Sequence, residues 1–184
     1  MTMRKKVLLF AGVLLVGVVL FCAGYWLKYA QGVIRPASAP VANATRHMLI
    51  GSQGSDYKQE LVRQLAARLQ AEGIASQIID VTALPTVKET DYDAIILICS
   101  IEFYAAQKDV AAFIAAAQHP ERIVLHTTSG QGDMPPQVCR IDAITGASQP
   151  AAISDKVAAI MARLPPAPGT VPGSDTRIAA AAGR

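Results

Sequence analysis

The stretch HMLIGSQGSD, residues 47–56, is a short apolar run that passes into a Gly/Ser segment. The sixteen or so residues after it decide how it reads. Across residues 57–72, Leu61, Val62, Leu65, Ala66 and Leu69 recur at helical spacing on one face. Lys58, Glu60, Arg63, Arg68 and Gln70 fall elsewhere on that helix, and periodicity of this kind predicts an amphipathic helix. Ser55 or Asp56 is suited to cap its start and Gly73 to stop its end. The order is therefore strand, small-residue loop, helix.

The same order repeats outward. Residues 74–81 read as a second strand, and Leu84, Pro85 and a polar run to Asp91 break it. Residues 93–99, DAIILIC, are apolar without alternation, the pattern of a strand buried on both faces. A loop at 100–104 leads to a helix at 105–117 with Val110, Phe113 and Ile114 inward. Residues 123–126 and 138–144 give the fourth and fifth strands, and 152–164 a closing helix. Alternating strands and helices predict an α/β fold with a five-stranded parallel sheet and right-handed crossovers. In such sheets ligands bind beyond the carboxyl ends of the strands. Loops 51–55, 100–104 and 127–133 all come directly after strands, so they are expected to gather at that edge.

Upstream, residues 7–26 (VLLFAGVLLVGVVLFCAGYW) carry no charge. A bilayer core takes about 20 apolar residues of helix, so a single membrane span is expected over 7–28. Arg4, Lys5 and Lys6 precede it, within a basic amino terminus at 1–6, and Lys28 and Arg35 come after it. The excess of basic charge before the span predicts that the amino terminus is cytoplasmic. For a bacterial chain this means the inner membrane, with the carboxyl-terminal domain in the periplasm. A cleaved signal would need a small-x-small site close behind the span. The nearest, Ala42-Asn43-Ala44, lies far beyond it. Residues 29–46 contain Gly, Pro, Ser and Ala without periodicity and read as a linker to a domain at 47–164. The Pro/Ala/Gly-rich residues 165–184 read as a disordered tail.

Composition narrows the functions. The net charge of +3 over 184 residues owes much to the three basic residues before the span. No basic patch with interleaved aromatics is visible, which argues against nucleic acid as a partner. The three cysteines, Cys22, Cys99 and Cys139, form no disulfide framework or metal-ligand spacing. No serine sits on a G-x-S-x-G elbow, and no catalytic residue or metal ligand is assigned.

The loops carry what chemistry there is. GSQGSD has two hydroxyls, Ser52 and Ser55, at a helix start, where free N–H groups favour an anion. A phosphate cradle and a plain capping turn are both open. Phe103 and Tyr104 could stack on a planar ligand or cover the core edge. In TTSGQGD, glycines let the backbone approach a ligand closely.

This pattern, over residues 47–164, resembles the flavodoxin-like superfamily, including FMN-dependent reductases. The resemblance implies strand order 2-1-3-4-5 with FMN at the switch point. Gly51, Ser52, Gln53, Gly54 and Ser55 look like the phosphate loop of that family. Ser100, Ile101, Glu102, Phe103 and Tyr104 occupy the place of a ring-facing loop, and Thr128, Ser129, Gly130, Gln131 and Gly132 that of the third flavin-contacting loop. Residues 142–148, DAITGAS, are also similar to the motif of exported domains that carry FMN covalently, which would make Ser148 the attachment point. The implied function is FMN-dependent electron transfer or reduction at the membrane, with a redox partner or membrane complex. The alternative is a cofactor-free flavodoxin-like assembly module, which the short connections at 82–92 and 133–137 favour.

Overall fold

The computed structural model describes residues 2–29, 32–102, 104–130, 132 and 140–167, with no side-chain placement for Leu8, residues 25–29 or Glu102. The chain divides into two compact units at residues 32 and 33. The first is helix α1 (Met3–Tyr29). It is long and apolar enough to cross a membrane over Met3–Gly24. It has no polar face over that length: Phe10, Leu15 and Val16 lie on different sides of it and are all exposed.

The second unit is an α/β domain. Its elements are β1 (Gly32–Val33), β2 (Ala37–Ala39), β3 (His47–Gly54), α2 (Asp56–Ala71), β4 (Ala75–Asp80), β5 (Ala94–Glu102), β6 (Ala105–Ala106), α3 (Lys108–Ala116), β7 (Ile123–Thr128), β8 (Ala143–Gly146) and α4 (Ile153–Ala162). Parallel ladders join β4 to β3, β3 to β5, β5 to β7 and β7 to β8. The central path runs β2-β4-β3-β5-β7-β8.

The sheet is eight-stranded and mixed, not the five parallel strands expected. β2 pairs antiparallel with β4, and β6 antiparallel with β5. The reason for the first addition lies in residues 29–46, which read as a linker in the sequence. Ile34 is buried, and its N–H donates to Asp80 Oδ2 at 2.9 Å. Asp80 Oδ1 also accepts from the N–H and hydroxyl of Thr82, at 3.0 and 2.7 Å. A buried carboxylate needs such donors, and Ile34, between β1 and β2, supplies one of them. The second addition reflects Tyr104, whose positive φ of 64° turns the chain back on itself. The helix expected from residue 105 therefore starts only at Lys108. Gln107 caps it, its Oε1 accepting from the N–H groups of Asp109 and Val110.

Alternation along the strands builds two cores. Met48, Ile50, Ile96, Ile98, Val124 and Ile144 face α2 and α4. Leu49, Ile95, Leu97, Cys99 and Leu125 face α3 and the turn at 81–86. Residues 94–99 of β5 are wholly buried, each large aliphatic side chain worth about 1.5–3 kcal/mol in burial. Helix α2 ends in a Schellman turn: Gly73, at φ 75°, donates to the Gln70 carbonyl, and Ile74 donates to that of Leu69.

The fifth strand begins at Ala143. The expected residues 138 and 139 lie outside the described residues, as do Cys139, Phe103, Gln131 and residues 168–184 of the expected tail.

Candidate functional site

β3, β5, β7 and β8 run parallel, so their carboxyl ends share one edge. Much of what reads as loop is the last part of these strands. Ser52 and Gln53 belong to β3 and are buried, with Ser52 in register with Asp80 and Ile98. Ser100 and Glu102 belong to β5, and Thr128 to β7. Ser100 pairs with Thr128, and Thr128 with Gly146.

The polar groups there are tied together. The Ser100 N–H donates to Gln53 Oε1 at 2.7 Å, which joins the ends of β3 and β5. Ser100 Oγ lies 3.3 Å from Thr128 Oγ1. Ser52 Oγ donates to the Gln53 carbonyl at 2.9 Å. Ser55 is the cap of α2, its side chain accepting from the Lys58 N–H at 3.3 Å. Ser55→Ala is expected to cost about 1 kcal/mol, read as a lower urea midpoint with unchanged slope.

Sequence reasoning misses Lys58 as a site residue, because its charge suggests an outward position. It is 1% exposed, and Nζ donates to Ser100 Oγ at 2.8 Å. The signal is present in the spacing. Position 58 precedes Val62 by four and Leu65 by seven, which puts it on the buried stripe of α2.

The third loop folds back on β8. The Ser129 N–H donates to the Gly146 carbonyl at 3.2 Å, and the Gly132 N–H to Ser129 Oγ at 2.9 Å. Gly132 has φ 90°, and a Cβ there would meet Ala147 Cβ at 3.3 Å, so glycine is required. Gly130 has open space around it. Ser148, two residues past β8, is exposed. Tyr104 stands 55% exposed in the turn between β5 and β6.

Behind these residues lies His126, wholly buried on β7. Its Nδ1 is 2.8 Å from the Ile144 carbonyl. A carbonyl only accepts, so Nδ1 carries the proton and Nε2 presents a lone pair. Nε2 is buried without a partner among the described residues. Burial, chiefly, pushes the His126 pKa down to about 4; Lys156 and Lys58 push the same way, and the bond to Ile144 opposes them. The imidazole is therefore neutral at pH 7. Both lysines are close enough to act on it. Lys156 Nζ donates to the Thr145 carbonyl at 2.8 Å.

Among the described residues, no group of three or more His, Cys, Asp or Glu side chains could hold a metal ion. No family model matches the chain, and no curated protein matches it.

Proposed function

We propose that this chain is a single-pass membrane protein whose flavodoxin-like domain holds FMN for electron transfer or reduction beside the membrane. The observation that carries the reading is the convergence of Lys58, Ser100 and Thr128, from α2, β5 and β7, at one edge. A cation, hydroxyls and the first turn of a helix suit a phosphate. The exposed Tyr104 ring in the adjoining turn suits a planar partner. The donor set thus fits the group: Ser55 and Lys58 would hold the phosphate end, and Tyr104 with Ser129 and Gly130 the ring end. Bound flavin supplies the redox chemistry, while the protein positions it and sets its potential. The basic amino terminus supports a periplasmic domain on an inner-membrane anchor.

The test is colour. Full-length protein in detergent micelles should carry flavin absorbance or gain it on titration with FMN. A protein that stays colourless and leaves FMN fluorescence unchanged refutes this reading. Flavin that survives denaturation and is lost in Ser148→Ala supports covalent attachment instead of a loosely held cofactor.

One observation favours the cofactor-free assembly module. Ser52, Gln53 and Ser55 already bond within the protein, so the first loop spends its polar groups on the fold. Under that reading FMN has no effect, and a partner is held through the domain surface.

A further inference from the structure

Helix α1 ends at Tyr29, and Ile34 is already buried in the α/β domain. Of the stretch that reads as a linker, only residues 30–33 lie between them, and that length of chain reaches at most about 18 Å. The attachment falls at the carboxyl edge of the sheet. The Ile34 N–H donates to Asp80 Oδ2 at 2.9 Å, and Asp80 is the last residue of β4, in register with Ser52 of β3. We propose that this edge rests on the membrane that α1 crosses, with Val33 and Tyr104 set into the headgroup layer of its phospholipids. The inference rests on α1 as a span and is independent of flavin.

The short tether is the first support, and exposure is the second. Among the described residues of the domain, the exposed large apolar side chains are Val33 and Tyr104, at 70% and 55%. Scattered singly, such residues need no explanation. Here both fall on the tethered edge. Val33 adjoins the end of β4 through Ile34, and Tyr104 follows the end of β5, with only β3 between the two strands. The turn holds Tyr104 at φ 64°, which costs energy for any residue but glycine, and it presents the ring outward. A tyrosine ring, apolar in body and polar at its tip, suits the boundary between acyl chains and water. Charge is the third support. Arg35 is exposed two residues past Val33, and its long side chain can lie on apolar surface with the cation among phosphates. Asp56 is exposed on the same edge, so the fit is to phospholipid headgroups in general and not to anionic lipid alone.

The opposite edge of the sheet stands a strand length away, about 20 Å along the six residues of β4. Ser100 and Thr128 lie on the docked edge. A ligand of the candidate site therefore arrives along the membrane surface rather than from open solvent.

The experiment uses the full-length chain in phosphatidylcholine vesicles, with and without phosphatidylcholine brominated on its acyl chains, which quenches nearby indoles. Trp26 is the single tryptophan, so a Trp26→Phe chain is a silent background. Tyr104→Trp in that background reports the docked edge. Ala105→Trp, exposed in the same turn, serves the same purpose if Tyr104→Trp fails to fold. Glu121→Trp, exposed just before β7, reports the amino edge. The expected result is a loss of emission on bromination at position 104 or 105, with none at 121. No loss at 104 and 105, or an equal loss at 121, overturns the proposal. The unaltered chain reports the span through Trp26. An unquenched Trp26 removes the span and the docking together, whereas a quenched Trp26 with an unquenched position 104 removes the docking alone. FMN is left out throughout, so neither result bears on the flavin reading.

Discussion

Asp80→Ala is expected to lower the unfolding free energy by about 3–5 kcal/mol. The carboxylate is buried and accepts three hydrogen bonds, from the N–H of Ile34 and from the N–H and hydroxyl of Thr82. Bonds to a charged group contribute about 1.5–3 kcal/mol each, but bonds sharing one side chain do not add fully. The bond to Ile34 is the one with wider consequences. Without it, residues 33–39 lose the anchor that sets Ile34 into the core beside α2, and burial of one isoleucine is worth about 1.5–3 kcal/mol. Urea unfolding of the full-length protein reads the loss. Thr82→Val separates the contributions, because it leaves the Ile34 bond intact and should cost less than half as much. Equal losses in the two variants would mean that Asp80 does not hold the edge segment. A fragment starting at residue 45 should likewise be less stable than one starting at residue 32.

The second large effect is a loss of stability in mild acid, centred on His126. Burial holds its pKa at about 4 in the folded protein, against an ordinary value of 6.5. Between those values the unfolded chain binds a proton that the folded one does not, so stability rises with pH across the window. The contribution is complete above pH 6.5 and is lost as pH falls toward 4. At about 1.36 kcal/mol per pH unit, the fall from pH 7.5 to pH 5 should cost about 2 kcal/mol, and the whole window about 3 kcal/mol. His126→Leu removes the titration along with the bond to Ile144. It should start less stable at pH 7.5 and change little down to pH 5. A wild type as stable at pH 5 as at pH 7.5 would show that the imidazole takes up its proton without opening the fold.

The framework of the fold was legible because hydrophobic period decides it. The unbroken run of β5 marked a strand buried on both faces, and the stripe of Leu61, Leu65 and Leu69 marked α2. What was not legible depended on partners distant in sequence. Residues 33–39 have no pattern of their own. They are tied to the sheet through Asp80, about 45 positions away, whose Oδ2 accepts from the Ile34 N–H. The polar residues Ser52, Gln53 and Ser100 looked like loop because composition favours turns there. Ladder pairing with neighbouring strands overrides that preference. Lys58 was hidden by its own charge. On the buried face of a helix a lysine reads as an error in the pattern until its hydroxyl partner, contributed by β5, is seen. The position of Ser100 and Thr128 at the carboxyl edge followed from strand–loop–helix order alone, whereas the burial of Lys58 beside them required the folded chain.

The central claim is that the carboxyl edge takes a phosphate-bearing ligand, and parallel titration of the full-length protein with FMN and riboflavin tests it most directly. FMN should bind tightly and riboflavin more weakly by about tenfold or more, and that difference should collapse in Lys58→Met as the edge loses its cation. Equal affinity for the two flavins, or binding of neither, would contradict it.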